Sequence, residues 1–174
     1  MKISIKENWI RLIKNDDPQW ICPPWEPFIG NGANKKTLTD PITLSITANA
    51  VHGTEYKDAW GVTYRWLGDS PPHPHITDEN KVIKDITAWE DFVSFPELDG
   101  HDWSESIEFI KTVDRDEYFL MCNISGGLFE RSHFLMGFED ALVNYMVEPE
   151  AMTALLSAIA DWKIGQITRV IDIL

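Results

Sequence analysis

Cysteine is scarce in this 174-residue chain, which contains only Cys22 and Cys122. Two cysteines so far apart cannot build the disulfide framework of a small secreted domain, so we expect two reduced structural thiols. The chain also has no apolar run at its start, where a signal peptide would have one. None of its apolar runs approaches the length that a membrane span needs. These absences predict a cytoplasmic protein with no membrane partner.

Positive charge is scarce as well. The chain has 15 lysines and arginines against 28 aspartates and glutamates, a formal net charge of −13. An acidic surface is repelled by the phosphates of nucleic acids, so we expect no nucleic-acid partner. A hydrophobic content of 44% in 174 residues predicts one globular domain with a core.

Tryptophan is abundant, with eight residues spread along the chain. We expect most of them to anchor the core or an interface. Aromatic walls are also typical of pockets for flat or apolar ligands.

Helix signals recur along the sequence. Ser4 and Glu7 form a capping box before an apolar periodicity that ends ahead of Pro18. Proline at position 149 fits the first turn of a long final helix with an apolar stripe. Further helices are predicted at 41–49, 87–96 with Thr87 as its cap, 102–113, 127–136 and 138–146.

Strand signals alternate with these helices, which indicates the α/β class. We predict strands at 19–22, within 55–66 as a strand or hairpin arm, at 81–86 and at 118–123. The last of these is apolar on both faces, as in a parallel sheet or barrel. It ends at Asn123, Ser125, Gly126 and Gly127, so the glycines form either a tight turn or a loop whose backbone a ligand approaches.

Several stretches together resemble the uroporphyrinogen decarboxylase superfamily, and most of all its corrinoid-dependent methyltransferase branch. They are "KENWIRLIKNDDPQW", "KDAWGVTYRW", "ITAWEDFVSFPELDG" and "GGLFERSHFLMGFEDALVNYMVEPEAMTALLSAIADWKIGQI". The resemblance covers nearly the whole chain and rests on the order and spacing of these stretches.

The resemblance implies the N-terminal half of a (β/α)8 barrel, so that residues 1–174 form a single partial barrel domain. A missing C-terminal half or a second chain would supply zinc ligands, a His/Cys set, and a corrinoid protein would be the methyl acceptor. The true decarboxylases carry an arginine motif near the N terminus, whereas this chain has "CPPWEPFIGNG" there. That departure disfavours porphyrinogen decarboxylation.

The resemblance also indicates where a substrate would bind, because barrel ligands lie on the loops after the strands. The candidate pocket residues are Trp25, Glu26, Asp58, Trp60, Asn123, Ser125, Gly126 and Gly127. Asp58 resembles the position at which the decarboxylases keep an aspartate facing the substrate. Glu26 is either an acid/base group or a solvated loop carboxylate.

Two further groups are interpreted as structural. Glu130 and Arg131 follow the glycines and would pair with each other or with a partner chain. His73 and His75 have a spacing that can bind metal from a strand, but no third ligand lies nearby in the sequence, so we assign no metal site.

Two functions follow as expectations. The first is the N-terminal portion of a methyltransferase that acts on a small methylated substrate and is active once a C-terminal half completes it. The alternative is a non-catalytic, truncated or partner-dependent half-barrel protein.

Overall fold

The computed structural model describes residues 3–29, 38, 40–124 and 126–174, which leaves the predicted loop at 30–36 outside the described residues. The fold is a mixture of helices and small sheets. The helices are α1 (Ile5–Lys14), α2 (Pro41–Ile46), α3 (Ser104–Lys111), α4 (Leu128–Met136), α5 (Phe138–Val147) and α6 (Pro149–Ile173), with a 3-10 helix at Ile86–Asp91. The strands are β1 (Phe28–Ile29), β2 (Thr54–Lys57), β3 (Thr63–Trp66), β4 (His73–Pro74) and β5 (Phe119–Leu120).

The chain divides into two compact units, each assembled from separated segments. The first unit comprises Met1–Pro41, Asp102–Ile124 and Arg169–Leu174. The second unit comprises Ile42–His101 and Ser125–Thr168.

A parallel pair of strands organises the first unit. Phe28 of β1 pairs with Phe119 of β5, and their rings stack with centroids 5.4 Å apart. Trp9 of α1 packs edge-on against both rings, at 5.1 and 5.5 Å. The strand predicted at 118–123 is therefore present in a shorter form, and it has the parallel pairing that its apolar faces indicate.

The first helix begins as predicted, because the Ser4 hydroxyl accepts a hydrogen bond from the Glu7 amide at 3.0 Å. The strand predicted at 19–22 is wrong. Buried Asn8 explains why: its side chain donates to the Trp20 carbonyl at 2.9 Å and accepts from the Gln19 amide at 2.7 Å. A helix side chain thus takes the backbone groups that a strand would use.

An antiparallel sheet, in the order β2-β3-β4, lies in the second unit. The segment 55–66 is thus a complete hairpin. The strand predicted at 81–86 is wrong, since the Ile83 amide donates to the Leu135 carbonyl at the end of α4, 2.9 Å away. The 3-10 helix that follows is capped by Asp85, whose carboxylate accepts from the amide and hydroxyl of Thr87, so Thr87 is not the cap.

The predicted helices at 102–113, 127–136, 138–146 and from position 149 are present, and the one predicted at 41–49 ends early, at Ile46. Met152, Leu155 and Ile159 of α6 are fully buried. The predicted apolar stripe is buried only in part, because Ile167 and Ile171 are exposed. None of the helices within the described ranges is long and apolar enough to cross a membrane.

Candidate functional site

A cavity of about 290 Å³ lies inside the second unit. Its walls come from α2, the β2–β3 hairpin, α4 with the glycine before it, and the middle of α6. The aromatic lining residues are Trp60, Tyr64, Phe134 and Trp162, and the charged ones are Asp58, Glu130, Arg131 and Lys163. The cavity therefore combines apolar walls with a small set of charged groups, as ligand pockets do.

The turn between β2 and β3 fixes the carboxylate of Asp58. One carboxylate oxygen, Oδ1, accepts from the backbone amides of Trp60 and Val62, both at 2.9 Å. The Asp58 amide donates to the Val62 carbonyl at 2.9 Å. This is the local bonding by which aspartate stabilises turns, and it leaves the Asp58 side chain only 1% exposed.

Arg131, from the first turn of α4, completes the bonding of that carboxylate. Its Nη1 donates to the second oxygen of Asp58, Oδ2, at 2.9 Å, and the arginine side chain is 12% exposed. The guanidinium lies 4.7 Å from the centroid of the Trp60 ring and 6.0 Å from that of Phe134. Arg131 thus pairs with Asp58, so the predicted pairing of Arg131 with Glu130 is wrong.

Two side chains of this cluster, Arg131 and Tyr64, carry hydrogen-bond donors that have no partner within the described part of the chain. The Nε and Nη2 atoms of Arg131 form no hydrogen bond there, and neither is fully enclosed. The same holds for the hydroxyl of Tyr64. Burial raises the pKa of Tyr64 to about 12, so its hydroxyl is protonated and can donate at neutral pH.

The indole N–H of Trp60 differs from these donors because it is buried and unbonded. Trp60 is 2% exposed, and its Nε1 atom is fully buried. Among the described residues, this nitrogen has no hydrogen-bond partner. Leaving a buried donor unpaired costs about 1–3 kcal/mol.

The two glycines before α4 play different roles. Gly126 lines the cavity and has a φ of +77°, which favours glycine, and a Cβ there would meet no described atom within 4 Å. Gly127 has an extended backbone with a φ of −73°, and its carbonyl accepts the Arg131 amide at 3.0 Å. The first glycine makes the turn, and the second starts the helix that carries Arg131.

The structure brings together Asp58, Trp60 and Gly126 of the predicted pocket residues. Gly127 adjoins this cavity without lining it, and Ser125 lies outside the described residues. The remaining candidates belong to the first unit and do not line this cavity. Trp25 is 56% exposed, Asn123 is exposed, and Glu26 ends a turn in which its amide donates to the Pro23 carbonyl.

Sequence reasoning missed Tyr64, Phe134 and Trp162, and it gave Arg131 a different partner. Tyr64 had a usable indication, since a hairpin centred on Trp60 pairs it with Tyr56, two residues before Asp58. Arg131 had none, because the pair joins positions 73 residues apart.

The described residues contain no group of three or more His, Cys, Asp or Glu side chains placed to hold a metal ion. The described residues therefore do not form the zinc site, whose ligands the family resemblance places in a C-terminal half or a second chain. Comparison of the chain with protein-family models, curated proteins and solved structures finds no match.

Proposed function

We propose that this chain forms the substrate-binding portion of a corrinoid-dependent methyltransferase of the uroporphyrinogen decarboxylase type, acting in the cytoplasm on a small methylated substrate. The observation that carries the proposal is the convergence of Asp58, Trp60 and Gly126 on one cavity. These residues come from two separated stretches that resemble the family. The parallel pairing of β1 with β5 fits the α/β class, and the N-terminal half of a (β/α)8 barrel is part of the proposal.

The cavity residues would bind and orient the substrate. Trp60, Phe134 and Trp162 would cover its apolar face and exclude water from the methyl group. A volume of about 290 Å³ is at the lower end of the range for ligand pockets, so a single-ring molecule fits better than a tetrapyrrole. In the family, zinc and the corrinoid supply the methyl-transfer chemistry, and both would come from another segment or chain.

Ligand binding tests the location of the site. Thr47 is exposed and lines the cavity, so Thr47→Trp should fill part of the space. We expect 4-methoxybenzoate, a single-ring molecule with a methyl ether, to bind the unaltered chain in isothermal titration calorimetry and to bind Thr47→Trp at least about tenfold more weakly. Thr153→Trp, on the exposed face of α6 away from the lining, is the matched control. Equal binding by both variants would overturn the location.

The coding DNA tests the methyltransferase assignment itself. The stretch downstream of the Leu174 codon, in frame or in an adjacent frame, should encode further barrel strands and a His/Cys set. Unrelated sequence there would contradict methyl transfer and favour the second candidate function.

The second candidate is a non-catalytic protein that binds a homologous chain. An exposed apolar stripe on α5 favours it: Leu142, Val143, Met146 and Val147 are 46%, 56%, 81% and 60% exposed. Apolar side chains grouped on one exposed helix face are typical of interaction surfaces.

Sedimentation measurements test this candidate. Association of the chain with itself or with a homologue should weaken markedly in Met146→Glu and persist in Thr153→Glu. A monomer at all concentrations, and no complex with the homologue, would exclude this role.

A further inference from the structure

We propose that the ligand of this cavity is a small, flat organic acid whose carboxylate binds the Nε and Nη2 edge of Arg131 and the hydroxyl of Tyr64. This assignment takes the location of the site from the function proposed above. It adds the class of ligand and the residues that select it.

The geometry of Arg131 is the first support. A guanidinium has two edges that can each receive a carboxylate in paired hydrogen bonds, and Asp58 uses Nη1 alone, at 2.9 Å. Nε and Nη2 together form the other edge, and within the described ranges neither has a hydrogen-bond partner. A second carboxylate can therefore bind without displacing Asp58.

The rigidity of Arg131 is the second support. Its guanidinium is held by Asp58 on one side and packs on the face of Trp60, 4.7 Å from the ring centroid. Asp58 is itself fixed by two backbone amides. Because the side chain is already ordered, binding a ligand costs little further conformational entropy.

The charge balance of the cavity permits an anion. The lining carries two acidic groups, Asp58 and Glu130, and two basic groups, Arg131 and Lys163, so their formal charges cancel. Ligand choice then depends on directed donors more than on net charge. Besides the enclosed indole N–H of Trp60, the donors named above as unpartnered within the described residues are on Arg131 and Tyr64, and both side chains suit a carboxylate oxygen.

The walls define the rest of the ligand. Trp60 and Trp162 meet edge to face with centroids 4.9 Å apart, and Phe134 lies near the guanidinium on the α4 side. Flat apolar surfaces around a space of about 290 Å³ suit a single ring.

Paired probes test this selection. Benzoate and benzamide have nearly the same shape, but only benzoate offers two anionic oxygens to the guanidinium edge. In calorimetric titrations of the full chain we expect benzoate to bind at least about tenfold more tightly than benzamide. Arg131→Lys keeps the charge and removes the planar edge, so it should abolish most of that preference. Tyr64→Phe should weaken benzoate binding by about threefold to tenfold.

Controls separate selection from folding. Arg65→Lys alters an exposed arginine of the same unit and should leave both affinities unchanged. If Arg131→Lys binds benzamide as tightly as the unaltered chain does, the variant is folded. If Arg131→Lys does not fold, Tyr64→Phe tests the acid selectivity independently.

The outcomes distinguish the two proposals. Equal binding of benzoate and benzamide, both lost in Thr47→Trp, would overturn the acid selectivity and leave the cavity as the ligand site. An unchanged preference in Arg131→Lys and Tyr64→Phe would likewise overturn it. Binding of either probe that Thr47→Trp leaves intact, or no binding at all, would overturn the location of the site as well.

Discussion

The carboxylate of Asp58 serves two structures at once. One oxygen holds the β2–β3 turn through the amides of Trp60 and Val62, and the other binds Arg131. The position of the guanidinium in the cavity therefore depends on a turn in a different part of the chain. Stability and ligand selection are coupled at this residue.

Asp58→Asn separates these roles. Asparagine retains an oxygen that can accept from the turn amides, but it leaves the guanidinium of Arg131 without its anion. Breaking a buried ion pair from one side costs about 3–5 kcal/mol, and we expect the lower figure because the Arg131 side chain remains 12% exposed. Urea unfolding measures the loss.

The matched control for Asp58→Asn is Glu55→Gln on the same hairpin. It breaks the exposed pair of Glu55 with Arg65 and should leave the unfolding midpoint almost unchanged. An Asp58→Asn variant no less stable than Glu55→Gln would contradict the structural importance of the buried pair.

Cys122 provides a test that depends on pH. Burial, with a smaller contribution from Asp40, raises the pKa of the Cys122 thiol to about 11. The variant Cys22→Ser leaves Cys122 as the one thiol. At pH 8 we expect this thiol to react with a disulfide reagent at least roughly tenfold more slowly in the folded chain than in urea. The rate should keep rising with pH towards 11.

The raised pKa of Cys122 also makes the stability of the fold depend on pH. Because the folded pKa lies above the ordinary value, this thiol's contribution is complete below pH 9 and is lost as the pH rises towards 11. A thiol reaction rate that levels off below pH 9 would contradict the raised pKa of the half-buried Cys122 thiol.

At the scale of elements, helices were predictable where their ends carry local chemistry. Ser4 caps α1 through a bond three residues away, and α6 starts at a proline. Two strand predictions succeeded: the β2–β3 hairpin, whose partners are close in sequence, and β5, which its apolar run marks although its partner β1 is distant. The strands predicted at 19–22 and 81–86 failed because Asn8 and the end of α4 take their backbone groups.

The glycine pair before α4 offers a prediction at this scale. Gly126 has a φ of +77°, so Gly126→Ala should lower the free energy of unfolding by about 1–2 kcal/mol through backbone strain. Gly127 is extended, and a methyl group there would meet only the carboxylate of Glu130, whose exposed side chain can rotate away. Gly127→Ala should therefore change stability by less than about 0.5 kcal/mol.

Thermal or urea unfolding of both glycine variants checks this difference. Equal losses would mean that the backbone conformation at Gly126 does not set the turn into α4.

At the scale of the whole molecule, the chain forms two compact units built from interleaved segments. No local pattern marks where the chain passes from one unit to the other, since α6 contributes to both without a break. Such boundaries depend on contacts between distant segments, which periodicity and composition do not encode.

The candidate site could be predicted only in part from the sequence. Asp58, Trp60 and Gly126 were predicted from the family resemblance, and all three line the cavity. Arg131 and Trp162 reach the cavity from helix faces, where a single sequence shows only that a residue is charged or apolar.

Nuclear magnetic resonance of the tryptophan indole N–H groups tests the central claim most directly. Trp60 and Trp162 line the cavity, whereas Trp9 and Trp103 belong to the first unit. With the signals assigned by single Trp→Phe variants, saturating benzoate should shift those of Trp60 and Trp162 and leave those of Trp9 and Trp103 in place. Unchanged Trp60 and Trp162 signals, or shifts confined to the first unit, would contradict the assignment of this cavity as the binding site.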